Sequence, residues 1–358
     1  MKTDFTPGGL PALIGSLPMD DHKEAVRLMA EYTPEIPLWI QLPRFGEEGM
    51  MAQFLPGMPG FAKEGEKLFV NAGDSDFDSA MLEFFEEYMA VTEGGKDIAD
   101  SRFALTETEA PGFFEFLRYL NGRSEPPQAL KAQITGPFTF ATGVVDQDGR
   151  AIFYDDQLRD AAVKLIAMKA RWQVNQLKTY GLPVIVFLDE PGLAGFGSSA
   201  FISISRDDVD ACLGEVIAAI HEEGGIAGIH VCANSEWSVV LDSGADIVSF
   251  DAYSFFDKFI LYADTVRQFV SSGGILAWGI APTSDTEAIA AETANSLKQL
   301  WEKELRQVEA LGFSRSAILQ KSLVTPSCGT GSLSFGDAKK VLELTRDLSA
   351  MIREEENA

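Results

Sequence analysis

A histidine and a cysteine stand two residues apart, His230 and Cys232, at the end of an apolar run read as a strand (Ile226 to Cys232). A second cysteine, Cys328, sits in the Gly-rich stretch Pro-Ser-Cys-Gly-Thr-Gly. In a strand, residues i and i+2 project from one face, so the imidazole and the first thiol point the same way. One imidazole and two thiolates form a soft donor set suited to Zn2+. Asp251, closing the run Ile-Val-Ser-Phe-Asp, offers a carboxylate as fourth ligand; the same acid serves equally as a substrate-binding group. The chemistry such a set supports is thiol activation: a thiol is mostly protonated at neutral pH, its thiolate is the nucleophile, and a bound divalent cation favours the thiolate.

Other run ends are polar too. Phe-Leu-Asp-Glu-Pro places Asp189 and Glu190 side by side, an acid pair able to hold an ammonium group; the alternative is a helix N-cap with a solvated acid. Ile-Gly-Ser-Leu-Pro offers the backbone N–H groups of Gly15 and Ser16 and a hydroxyl to a carboxylate. Gln-Ile-Thr-Gly-Pro presents Gln133 and Thr135. Asp251 and Glu190 are the candidate catalytic acids; Ser16, Gln133, Asp189 and Glu190 the candidate substrate-binding residues; His230, Cys232, Cys328 and Asp251 the candidate metal ligands. Cys212 shares a helical face with Val209, Val216 and Ile220 and reads as core. His22 and His221, among charged helical residues, read as surface.

Eight short apolar runs position these groups: 12–16, 37–41, 130–135, 184–189, 226–232, 246–251, 275–280 and 318–324. Near-continuous Val, Ile, Leu and Phe suit strands covered on both faces. Amphipathic segments of helical period lie between them, at 21–32, 156–180, 206–223, 235–243, 255–271 and 286–311, and another, 335–353, follows the last strand. The alternation predicts an α/β fold, a single (β/α)8 TIM barrel spanning 1–358. Barrel enzymes carry their chemistry at the C-terminal strand ends, where all the candidate residues fall.

The spacing breaks once, with about ninety residues between the second and third runs, too many for one crossover. This helical insertion, about 45–128, opens with a Met-, Gly- and Pro-rich loop (45–61) and continues through helix-like stretches at 79–91 and 107–120. Following a strand's C-terminal end, it is expected to form a lid over the catalytic face.

The 358 residues are 46% hydrophobic and 23% charged, ample for a large core. A net charge of -25 argues against nucleic acid and anionic membrane as partners. No apolar stretch is long enough to span a bilayer, and residues 1–9 lack the apolar segment of a signal peptide. With three cysteines a disulfide framework is not expected, so the sequence reads as cytoplasmic.

Taken in order, Ile-Gly-Ser-Leu-Pro, Thr-Gly-Pro-Phe-Thr, Leu-Asp-Glu-Pro, His-x-Cys and Pro-x-Cys-Gly resemble the catalytic domain of cobalamin-independent methionine synthase, across nearly the whole chain. The stretch from His230 to Asp251 is similar to zinc methyltransferases that move methyl groups from corrinoid proteins to thiols; uroporphyrinogen decarboxylase shares that barrel. The resemblance implies that His230, Cys232 and Cys328 hold zinc, that Asp251 stands where the family carries a ligating Glu, and that Ser16 and Asp189 hold the amino-acid part of homocysteine. The implied activity is methyl transfer to a thiol, homocysteine giving methionine. Its alternatives are a methylcobamide:coenzyme M-type methyltransferase and a decarboxylase-like lyase that grips an acidic substrate with Arg44 or Arg102.

Two departures bear on the donor. The chain has no room for the additional N-terminal barrel of the full-length enzymes. The stretch Trp-Gly-Ile-Ala-Pro-Thr-Ser-Asp lacks the His that the family places near the transferred methyl. A methyl-folate needs protonation to leave and a methyl-corrinoid does not, so methylcobalamin or a corrinoid protein is the favoured donor.

Overall fold

The computed structural model describes residues 5–356; the first four residues of the stretch read above as unlike a signal peptide lie outside them. In chain order the elements begin with β1 (Leu10–Pro11) and α1 (His22–Tyr32), then the hairpin β2 (Phe61–Glu64) and β3 (Lys67–Val70), α2 (Phe77–Thr92) and α3 (Pro111–Asn121). There follow β4 (Leu130–Thr135), α4 (Pro137–Gly143), α5 (Asp156–Leu177), β5 (Val184–Asp189), α6 (Arg206–Glu222), β6 (Ile226–Val231), α7 (Trp237–Leu241) and β7 (Ile247–Phe250). The rest is α8 (Ala252–Phe259), α9 (Ala263–Ser271), β8 (Ile275–Ala281), α10 (Thr286–Ala291), α11 (Ala294–Glu309), α12 (Arg315–Gln320), β9 (Ser322–Pro326) and α13 (Phe335–Glu356).

The fold is α/β. Seven strands form one parallel sheet in the order β1-β9-β8-β7-β6-β5-β4, and β2 pairs antiparallel with β3 apart from it. Side chains alternate between two apolar clusters. Val184, Val186 and Leu188 of β5 pack with the helices, whereas Ile185 and Phe187 join Leu10, Ile226, Ile247 and Leu323 in a second cluster drawn from strands and strand-like segments. A sheet face that packs on itself in this way has to be curled.

The segment 37–41 lies between the two sheet edges without forming a regular strand. Isolated parallel bridges join Leu38 to Lys131 of β4, and Gln41 to Ser16 beyond β1. The runs expected as strands at 12–16 and 37–41 are thus held by single bridges, because the ladder on that side is interrupted. The Lys131 ammonium, fully buried, crosses this region: it donates to Ile14 O at 2.6 Å and lies 4.4 Å from the centre of the Phe187 ring.

Three boundaries differ from the sequence reading. The last strand is 322–326 and not 318–324, since Ser314 caps α12 and Ile318 and Leu319 bury themselves on that helix. The segment 255–271 breaks at a 3-10 turn, 260–262. The segment 286–311 breaks before Thr293, whose hydroxyl and Ser296 cap α11 reciprocally. The hairpin within the insertion carried no clear signal. Among the described residues no helix is long and apolar enough to cross a membrane.

Candidate metal centre

Parallel strands place their C-terminal ends on one edge, and pairing in register sets neighbours side by side. Thr135 pairs with Asp189, Asp189 with His230, and His230 with Ser249. These side chains therefore share the inner face, with Cys232 one step past β6. Cys328 arrives from β9 on an anchored turn: Ser327 N–H donates to Ala281 O at 2.8 Å, and Thr330 N–H to Ser16 O at 3.1 Å. A Cβ on Gly329 would overlap Ser16 Oγ, so glycine is what lets this turn approach the Ser16 segment.

The donor atoms of His230, Cys232 and Cys328 all lie within 4.8 Å of one another, and no other such group of His, Cys, Asp and Glu occurs among the described residues. Two donors on a tetrahedral zinc ion stand roughly 3.5 Å apart, so the grouping fits one ion. His230 is 3% exposed; its Nδ1 lies 2.9 Å from Ser249 Oγ, while Nε2 is buried without a partner. With Nδ1 donating to Ser249 Oγ, the tautomer a metal requires, Nε2 would offer its lone pair to an ion. Hydrogen bonding from Cys328 holds the Cys232 thiol well down, and the same hydrogen bond, with burial, pushes the Cys328 thiol up. Buried Cys212 is the contrast, a core thiol pushed up to about 12 by burial, as its helical pattern indicated.

The trio lines a cavity of about 520 Å³ that Ser16, Thr135 and Asp189 also line. Asp189 has Oδ1 buried and unpartnered; burial raises its pKa, with His230 and Lys131 pulling it back. Ser16 Oγ accepts from Gly331 N–H at 3.2 Å, which leaves its own proton free to donate. Thr135 Oγ1 donates to Met50 O at 2.7 Å, tying the start of the insertion to the cavity wall.

Three expected site residues are placed differently. Glu190 is fully buried and faces away from the cavity: Oε1 accepts from Phe138 N–H at 3.0 Å, and Oε2 from Thr139 N–H at 2.8 Å and Thr139 Oγ1 at 2.5 Å. It caps the start of α4 from β5, with its pKa raised to about 7 by burial against those hydrogen bonds. A Cβ on Gly136 would run into this carboxylate, which accounts for the glycine in Thr-Gly-Pro-Phe. Glu190 is thus a structural clamp, its carboxylate engaged outside the lining of the cavity. Gln133 lies one layer below the mouth, outside the lining of the cavity, where Nε2 donates to Trp39 O at 2.9 Å.

Asp251 falls outside the group of three. It is 3% exposed, and its Oδ1 accepts from Ser254 N–H at 2.8 Å, capping α8. Burial raises its pKa to about 6.

Sequence reasoning missed Ser249, Glu48 and Met50, and named Arg44 only for the lyase alternative. Ser249 was signalled by its place two residues before Asp251, which follows β7; the other three lie in or beside the loop read as the start of a lid. Glu48 is 2% exposed and lines the cavity, its Oε1 bonded to His22 Nε2 at 2.6 Å and its Oε2 accepting from Leu42 N–H at 2.9 Å. His22 is therefore a partly buried partner and not a free surface group, and His221 is likewise paired, with Asp246 at 2.7 Å.

No family model matches the chain, and no curated protein matches it. Among solved structures, a GH5-4 broad-specificity endoglucanase from Clostridium acetobutylicum is similar over 66% of this chain and 79% of that one, with TM-score 0.36 and 11% identity. So slight a likeness has no bearing on the chemistry of the cavity.

Proposed function

We propose that this chain is a cytoplasmic, zinc-dependent thiol S-methyltransferase on a (β/α)8 barrel, in which 37–41 takes the place of the remaining strand and the insertion from 45 to 128 serves as the lid. The observation that supports this most is the trio itself: three soft donors within 4.8 Å, one of them a buried Nε2 with no other partner. Zn2+ held by His230, Cys232 and Cys328 would supply the Lewis acidity that keeps an acceptor thiol ionised at neutral pH. Ser249 orients His230, and the Ser327 and Thr330 hydrogen bonds hold the Cys328 turn.

The acceptor we favour is homocysteine, giving methionine. The Ser16 hydroxyl would donate to its carboxylate, and Asp189, with its orphaned oxygen, would accept from its ammonium group. Held so, the sulfur attacks the donor's methyl carbon; the S–C bond forms as the bond from that carbon to the donor breaks, and the electron pair leaves with the donor. The end of β8 presents Thr283, whose hydroxyl lies 2.8 Å from Ser327 Oγ, and no His for a leaving group that needs a proton. A methyl-corrinoid, free or on a corrinoid protein, suits that arrangement.

The test is methyl transfer from methylcobalamin to homocysteine by purified protein of known metal content, with and without chelator, for the wild type and Cys328→Ser. The expected result is about one zinc per chain, activity that chelator abolishes, and loss of both in the variant. Protein that binds no zinc, or a variant that keeps zinc and activity, refutes the proposal.

A further inference from the structure

We propose that Arg44 makes this cavity selective for thiols that carry an anionic group at the end remote from sulfur. The inference rests on the reading of the cavity as a thiol site. Arg44 lines the same cavity as the trio, and its guanidinium has no hydrogen bond or ion pair with any described residue. The chain has 54 acids against 29 Lys and Arg, and other arginines find carboxylates readily, as Arg102 does with Glu87 at 2.6 Å. Arg44, exposed on its loop, meets none of them.

Pro43 packs on the Gly-rich turn: a Cβ on Gly331 would lie 2.8 Å from Pro43 Cγ. Phe45 stacks on His22, ring centres 5.5 Å apart and planes 16° from parallel. Arg44 is thus held between two anchored residues. The cavity's two carboxylates are Glu48 and Asp189. Glu48 has both oxygens engaged by His22 and Leu42, and Asp189 stands beside His230 in the sheet.

Gly331, against which Pro43 packs, donates to Ser16 Oγ, so Arg44 stands at the Ser16 end of the cavity. A thiol whose sulfur meets the trio would direct its other end there. A guanidinium fork presents paired N–H donors that match a carboxylate or a sulfonate.

The experiment is titration calorimetry of zinc-loaded protein with homocysteine, 2-mercaptoethanesulfonate and neutral 2-mercaptoethanol, for the wild type, Arg44→Ala and Arg44→Lys, each with zinc content checked. The expected result is that Arg44→Ala weakens one or both anionic thiols by about 10- to 100-fold and the neutral thiol by less than about twofold, with Arg44→Lys between. Whichever anionic thiol suffers the larger loss tells carboxylate from sulfonate recognition. If Arg44→Ala leaves the ratio of anionic to neutral affinity unchanged, the inference is wrong while the thiol site stands. If the zinc-loaded wild type binds none of the three thiols, the functional reading fails, and this inference with it.

Discussion

Glu304, on α11, is 4% exposed, and its Oε2 is buried without a hydrogen-bond partner. Burial pushes its pKa up from 4.5 to about 9; nearby Lys303 opposes the rise and Asp251 adds to it. Between those values the unfolded chain is ionised while the folded chain keeps the proton. Folding therefore takes up a proton, and the contribution to stability falls as pH climbs from about 4.5 to about 9. Each pH unit in that window costs about 1.4 kcal/mol, so at pH 7 the penalty is on the order of 3 kcal/mol.

Glu304→Gln keeps the shape and removes the titration. The variant should match the wild type within about 1 kcal/mol at pH 5 and exceed it by about 3 kcal/mol at pH 7, a gain of roughly 5 °C in Tm. Differential scanning calorimetry from pH 5 to pH 8 measures the difference directly. A gap that stays constant across that range would show that Glu304 titrates alike in both states, and the reasoning would be refuted.

Ser249→Ala removes the hydrogen bond to His230 Nδ1 and should weaken zinc binding about 10- to 100-fold in competition with a chromogenic chelator; unchanged affinity would deny Ser249 that role. Glu190→Gln turns a donor towards N–H groups that need an acceptor. At pH 8 it should lower stability by about 1–3 kcal/mol with zinc content intact, whereas loss of zinc at unchanged Tm would contradict the clamp. Gly136→Ala drives a methyl group into the Glu190 carboxylate and should cost on the order of 3 kcal/mol or abolish soluble expression; a wild-type Tm would contradict that packing.

Much of this site was legible because the strands are parallel. Runs ending in His230, Asp189 and Thr135 deliver those residues to one edge, and the i, i+2 rule turns His230 and Cys232 the same way. The same rule, carried further, disposes of Glu190. Consecutive residues point to opposite faces, so once Asp189 faces the cavity its neighbour cannot. Gln133 shares a face with Thr135 but lies two residues deeper, about 6.6 Å below the mouth.

What stayed illegible depends on contacts distant in sequence. Glu48 meets His22, and Arg44 is held by Gly331 and His22 through its neighbours, across separations that no local pattern reports. The weak pairing at 12–16 and 37–41 is equally hidden, since an apolar run does not say how many ladder bonds it will make. The breaks within 255–271 and 286–311 interrupt patterns whose helical period continues on either side.

The sparse bridging beside Ser16 gives the cavity mouth two walls of unequal stiffness. β5 and β6 are laddered on both flanks, whereas Leu17 N–H and Gln41 N–H hang on single bonds of 3.1 and 3.0 Å to Gln41 O and Gly15 O. Transient unzipping there would part segment 37–41 from the Ser16 wall, which Thr330 and Gly331 still hold, while His230 and Cys232 stayed in place. Leu17 and Gln41 amides should then exchange with solvent deuterium well before those of Leu188 and Ile229. A molecule gripped between the walls would be let go from the yielding side, where 37–41 sits, while His230 and Cys232 held their places on the stiffer one.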